Sequence, residues 1–154
     1  TLTDDTIPKG ASSNLVDSSI VDDGSTVAIS EPVTSTGYIK SSGVTGIGYA
    51  TGAGGAVTQI ASRTTGVTLN TASGAITLVS AAGSATPFSF TVTNSSVAAT
   101  DTIILSQKSG TDIYTTQVVS AVGAGSFRVT LANASGTTTE QPVFNFAIIK
   151  AVAA

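Results

Sequence analysis

From residue 66 onward, apolar and polar residues alternate with a period of two. Phe88, Phe90 and Val92 fall on one side of a pleated strand, and Ser89, Thr91 and Thr93 on the other. Phe127, Val129 and Leu131 alternate with Ser126, Arg128 and Thr130, and Phe144, Phe146 and Ile148 with Asn145 and Ala147. A strand turns successive side chains to opposite faces, so this rhythm predicts strands rather than helices. The pattern places them over residues 66–70, 75–80, 88–93, 102–107, 112–122, 126–132 and 143–152, with an eighth over 56–60. Turn-forming clusters separate them, at 70–74, 81–87, 94–101, 109–110, 123–125 and 133–136. Helical periodicity is nowhere sustained. The expected fold is all-β, an antiparallel β-sandwich or jelly roll.

The chain before this region reads differently. Its apolar runs are short, as at Val27 to Ile29 and Tyr38-Ile39, and Pro8, Pro32 and many Gly interrupt it. Asp23-Gly24 signals a turn ahead of a brief strand over 26–30. Gly43, Gly46, Gly48, Gly52, Gly54 and Gly55 then crowd together, as in a linker or a tight crossing between subunits. Residues 1–55 are expected to form an extended, Gly-rich N-terminal arm without a core of its own. Residues 56–154 are expected to form the β-sandwich domain.

Composition narrows the chemistry. Ala, Gly, Ser and Thr supply 84 of the 154 residues, and charged residues only 10%. There is no His and no Cys. That excludes an imidazole base, a Ser–His–Asp or Cys–His nucleophile, a thiolate metal site and a disulfide. Small side chains bring little apolar area each, which predicts a thin monomeric core completed by oligomerising. The net charge is −3, and the six cations Lys9, Lys40, Arg63, Lys108, Arg128 and Lys150 are scattered. Nucleic-acid binding needs clustered cations, so no nucleic-acid partner is expected. No apolar run approaches a membrane span or a signal peptide, so no membrane partner is expected either. Thr1 is small enough to permit removal of an initiator Met, which suits a complete short protein.

Few residues offer chemistry. Gly46-x-Gly48-x-x-x-Gly52 lacks dinucleotide-fingerprint spacing, and no P-loop occurs. The β region offers three carboxylates, Asp101, Asp112 and Glu140, and a glycosidase would need two of them close together. Asp101 and Asp112 sit at strand starts, where a turn or solvated role is commonplace, and Glu140 lies in the loop before Pro142, so no catalytic residue is expected. Asp4-Asp5 and Asp22-Asp23-Gly24 lack a full calcium loop, so no metal or cofactor is expected. Asn94-Ser95-Ser96 and Asn133-Ala134-Ser135 match the glycosylation pattern, as chance allows in a chain this rich in Ser and Thr. Among aromatics, Phe88, Phe90, Phe127, Phe144 and Phe146 belong to the core. Tyr38, Tyr49 and Tyr114 are better placed for contacts. Tyr38, Ile39, Ile47 and Tyr49 are the candidate partner-binding residues, because they lie where core burial is least assured.

Three stretches carry a resemblance. Gly-Ile-Gly-Tyr-Ala-Thr-Gly-Ala-Gly-Gly at 46–55 continues through Arg63 to Asn70, Gly74 to Ser80 follows, and residues 137–152 close the chain. Together, over roughly 37–154, they resemble a module of tailed-bacteriophage virion proteins. It recurs at the ends of tail-fibre-like proteins and in short phage structural proteins. The resemblance carries no catalytic residues. It implies a trimeric protein on the exterior of the phage particle, made in the host cytoplasm. The short length favours a capsid decoration, or cement, protein whose arm grips the major capsid protein while a β knob faces outward. The alternative is a tail-fibre tip or receptor-binding module that attaches to a host surface glycan or protein through loops at 81–87 or 133–141. A depolymerising enzyme using Asp101 or Asp112 is a third class, and it is not expected.

Overall fold

The computed structural model describes residues 9–11, 14–16, 20–22, 26–30, 32–44, 46–133 and 138–151. Two compact units divide between Ile47 and Gly48, inside the Gly-rich stretch. In the first unit, β1 (Lys9–Ala11) pairs antiparallel with β2 (Asn14–Val16), and β3 (Ile20–Asp22) with β4 (Val27–Ile29). β4 lies within the strand expected over 26–30. A two-stranded sheet of three-residue strands encloses nothing, and every described side chain from Thr26 to Ile47 is exposed.

The second unit is a β-sandwich. Its strands are β5 (Gly54–Thr58), β6 (Val67–Thr68), β7 (Ser73–Thr77), β8 (Ala81–Ala82) and β9 (Phe88–Thr93). β10 (Thr102–Ser109), β11 (Thr116–Gly123), β12 (Ser126–Ala132), β13 (Thr139–Glu140) and β14 (Val143–Ile149) follow. One sheet has the order β10-β14-β7-β5 and the other β11-β12-β9-β6, with a small β13-β8 ribbon beside them. Among the described residues no helix forms.

The pairs are antiparallel except β5 with β7 and β6 with β9, which are parallel. The chain alternates between sheets as it passes through β5, β6, β7 and β9. A strand returning after an excursion through the opposite sheet can run in the direction of the one that left, a crossover made without a helix.

The core lies between the two sheets. Phe90, Val92, Phe127, Val129 and Leu131 meet Ile76, Ile103, Phe144, Phe146 and Ile148, and all are buried. Phe127 packs on Phe146 at 5.3 Å between ring centroids, and Tyr114 stands edge-on to Phe144 at 5.1 Å. A fully buried Phe contributes about 1.5–3 kcal/mol. Four of the five Phe are buried, so the core is continuous rather than thin. On the inner side of β7, a Cβ at Gly74 would stand 2.6 Å from the Leu69 side chain and 3.0 Å from the Phe146 ring. Glycine there is what lets Leu69 close the sandwich.

Two strands end short of the pattern. Residues 112–115 alternate correctly, but β11 starts only at Thr116. The Thr111 and Asp112 amides donate to Glu140 Oε2, and the Tyr114 amide to Gln107 Oε1 at 3.1 Å. Side-chain acceptors have taken the place of a neighbouring strand. β14 stops at Ile149 because the Ala151 amide turns to Asp101 Oδ1 at 3.3 Å.

Candidate functional site

The four candidate partner-binding residues are accessible to different degrees. Tyr38 is 89% exposed, Ile39 64%, Ile47 72% and Tyr49 49%. Lys40 Nζ stands 5.4 Å from the Tyr38 ring centroid, within cation–π range. Tyr49 belongs to the sandwich unit and donates its phenol proton to the Ile148 carbonyl, so it is partly a structural residue. Of the thirteen exposed large apolar side chains among the described residues, eight lie between Val27 and Tyr49. Singly scattered exposed apolar residues are ordinary on a folded surface, and this stretch of sequence holds more of them than the rest of the described chain.

A second cluster lies at one end of the sandwich, around buried Arg63. Its Nε donates to the Val79 carbonyl at 3.3 Å, and Nη2 donates to the carbonyls of Ala81 and Glu140. Nη1 donates to the Tyr114 hydroxyl. Gln59 fixes the loop itself, donating to the carbonyls of Arg63 at 3.2 Å and Thr65 at 2.7 Å. A planar guanidinium with five donors suits this, since it can staple several carbonyls at once. The two loops expected to carry a ligand are thereby joined: β8 pairs with β13, and the Asn133 amide donates to the Ser84 carbonyl at 2.9 Å. A groove of about 370 Å³ opens beside them, lined by Arg63, Val79, Ala81, Ser84 and the half-buried Phe88. Residues 134–137 lie outside the described residues.

The contact expected of Tyr114 is corrected by its burial. It is 1% exposed, wedged between Phe144 and Arg63. Burial pushes its phenol above the ordinary range, and the Arg63 charge opposes that rise. No sequence pattern marked Arg63 as its partner, because a lone Arg in a polar loop looks like any solvated cation.

The three carboxylates separate into two places. Asp112 and Glu140 come together, both buried, with Glu140 Oε2 accepting from the Asp112 amide at 3.2 Å. Asp112 Oδ2 accepts from Asn133 Nδ2 at 2.8 Å, and a Cβ at Gly83 would collide with that Asn133 amide. These contacts brace turns. Asp101 stands elsewhere, accepting from the Ala98 amide at 2.8 Å and pairing with Lys150 Nζ at 2.6 Å. The Ala98 amide foremost, and then the Lys150 hydrogen bond, hold its carboxyl below the usual carboxylate range.

Both glycosylation-pattern asparagines are buried. Asn94 Nδ2 donates to the Thr71 carbonyl at 2.8 Å, and Asn133 is 1% exposed. In the folded chain neither side chain reaches solvent. Of the candidate calcium ligands, Asp4, Asp5 and Asp23 lie outside the described residues. Among the described residues no group of three potential metal-ligating side chains converges. No protein family, curated protein or solved structure matches this chain.

Proposed function

We propose that this chain is a non-enzymatic structural subunit of a tailed-phage virion exterior, a trimeric capsid decoration protein. The segment before the sandwich would dock on the major capsid protein or on neighbouring copies, and the sandwich would form the outward knob. The observation that carries the reading is the contrast in apolar exposure. The sandwich closes its own core, while Val27, Ile29, Val33, Tyr38, Ile39 and Ile47 are exposed. Val27 and Ile29 lie on a short strand pair and the others on irregular chain, and exposed apolar side chains so placed suit docking by strand addition and pocket filling. Repetition over a symmetric shell multiplies weak contacts into firm attachment. The resemblance over roughly 37–154 supplies the phage context. Stripping the protein from particles tests the reading. Stripped heads should lose resistance to heat and osmotic shock and regain it on adding the protein back. Unchanged resistance sinks it.

A second reading, a receptor-binding fibre tip, is favoured by the groove beside Phe88 and Arg63. Loops held by a rigid scaffold are where ligand contacts concentrate. Labelled protein located at the tail in a few dozen copies or fewer would favour it over the capsid reading.

A further inference from the structure

Asp112 and Glu140 bring two carboxylates into the sandwich, each residue only 8% exposed. A buried charge is costly unless it is paired or binds a metal. Among the described residues the one ion pair is Lys150 with Asp101, at the third carboxylate. Arg63 lies close by, but its guanidinium donates to three backbone carbonyls and the Tyr114 hydroxyl. None of its hydrogen bonds goes to a carboxylate.

The hydrogen bonds around the two acids are also incomplete. Glu140 Oε2 accepts from the Thr111 amide and from the Asp112 amide at 3.2 Å, and Asp112 Oδ2 accepts from Asn133 Nδ2 at 2.8 Å. Glu140 Oε1 and Asn133 Oδ1 are buried and accept from no partner. Asn133 is 1% exposed, and its amide lies against the Asp112 carboxylate, so its free oxygen belongs to the same cluster. Glycine main chain closes on both groups. A Cβ at Gly83 would stand 2.4 Å from Asn133 Oδ1, and one at Gly110 would stand 2.9 Å from Glu140 Oε2. The turns come this near only because they carry glycine.

We propose that Asp112, Glu140 and Asn133 form a calcium-binding site, with Glu140 Oε1, Asn133 Oδ1 and the Asp112 carboxylate as side-chain ligands. A water molecule can donate to both free oxygens, but it leaves two carboxylates against one guanidinium. A divalent cation satisfies the oxygens and the charge together. No three His, Cys, Asp or Glu converge among the described residues, so the third ligand is an amide oxygen. An all-oxygen set of this kind is hard, and Ca²⁺ accepts about six to eight such ligands in irregular geometry, with backbone carbonyls and water completing the shell. Mg²⁺ demands a near-octahedral shell and suits the cluster less. Asp112 follows β10, Asn133 follows β12 and Glu140 lies in β13, so the ion would tie three segments together at the Arg63 end of the sandwich. Two carboxylates beside a guanidinium predict weak binding, with Kd about 10⁻⁴–10⁻³ M. The site belongs to the sandwich itself and does not depend on the capsid reading.

Terbium, a luminescent substitute for calcium, provides the test. Tyr114 is two residues from Asp112. Burial raises its phenol most, Arg63 opposes that rise, and the Glu140 and Asp112 charges add to it, so the ring is within reach of both acids. Excited through tyrosine, chelator-washed protein should give Tb³⁺ emission that Ca²⁺ displaces better than Mg²⁺. Millimolar Ca²⁺ should also raise its urea midpoint. Glu140→Gln keeps an oxygen for the Thr111 and Asp112 amides but removes the charge. It should remain folded by circular dichroism, bind Ca²⁺ about tenfold or more weakly, and lose most of the midpoint rise. Asp101→Asn, outside the site, should keep both responses. Asn133→Asp exchanges the donor to Asp112 for a third carboxylate, so it should lower the metal-free midpoint and enlarge the rise with Ca²⁺. A drop in that variant without the larger rise gives Asn133 a bracing role only and overturns the proposal. No emission and no midpoint rise in the unmodified protein overturn it as well. Responses that survive intact in Glu140→Gln do the same, because the ion then sits elsewhere.

Discussion

The two units of this chain use similar apolar residues for opposite ends. In the sandwich, Ile76, Val92, Val129 and Ile148 are all fully buried. Before Gly48, Val27, Ile29, Val33 and Ile39 are all between 45% and 64% exposed. The difference lies in neighbours rather than residue type. β12 lies between β11 and β9, and its inner face meets a second sheet. β4 pairs with β3 in a two-stranded ribbon, and its three side chains are exposed. Amino-acid composition therefore does not predict which part of a small-residue chain needs a partner. Layering does. The low aromatic content suggested a core that only assembly could complete, yet the sandwich encloses five of its aromatic rings. The case for assembly moves to the surfaces, where exposed apolar groups are left over.

That contrast breaks first if the sandwich turns out not to depend on its own core. Phe127→Ala removes a ring that is 1% exposed and packed on Phe146. It should cost about 3–5 kcal/mol in urea unfolding of the purified protein. A loss below 1 kcal/mol would mean that the core is held chiefly from outside. Arg63→Met comes next. It keeps much of the apolar stem but deprives the Val79, Ala81 and Glu140 carbonyls and the Tyr114 hydroxyl of their donor. Buried groups left unpaired cost about 1–3 kcal/mol each, with relaxation and water recovering part, so about 3 kcal/mol in total is expected. The near-ultraviolet signal of Tyr114 should change with it.

How much of this could be read beforehand depends on how local the cause is. β9 and β12 were legible to the residue, because Phe-Ser-Phe-Thr-Val-Thr and Ser-Phe-Arg-Val-Thr-Leu-Ala state both strand and face. β7 was placed two residues late, because its inward position at 74 is a glycine and breaks the apolar rhythm. The nearby Leu69 side chain, Gly55 carbonyl and Phe146 ring explain that glycine. The parallel partners of β5 and β6 were illegible, since a strand's pattern says which face is buried and nothing of its neighbour's direction. At the candidate surfaces, the exposure of Tyr38, Ile39 and Ile47 followed from their surroundings of Gly, Ser and Thr. Arg63 and Tyr114 were not legible as a pair, because 51 positions separate them and both types are common at surfaces.

Acid provides a finer probe of the sandwich alone. The Asp101 carboxyl titrates below 3.8 in the folded chain. A depressed folded value means that its contribution is fully present above about pH 3.8 and is lost as pH falls through the folded value. Asp101→Asn should therefore lower stability at neutral pH and flatten the decline below pH 3.8, measured by denaturant midpoints across the acid range. Because the Ala98 amide is the larger cause, Lys150→Met should flatten that limb only in part. Equal flattening by both variants would show that the ion pair, rather than the turn amide, holds Asp101.

The smallest expected effect on stability is the most informative about the first unit. Tyr38→Ala combined with Ile39→Ser removes side chains that are 89% and 64% exposed. Surface substitutions of this kind change unfolding free energy by no more than about 0.5 kcal/mol. The urea midpoint of the sandwich should therefore stay where it is. If the segment docks on a capsid surface, the same double variant should bind stripped heads at least tenfold more weakly, because exposed Tyr and Ile anchors act only when a partner covers them. A shift in midpoint with unchanged head binding would reverse the comparison. It would make these residues part of the fold and leave the docking surface to be sought on the sandwich.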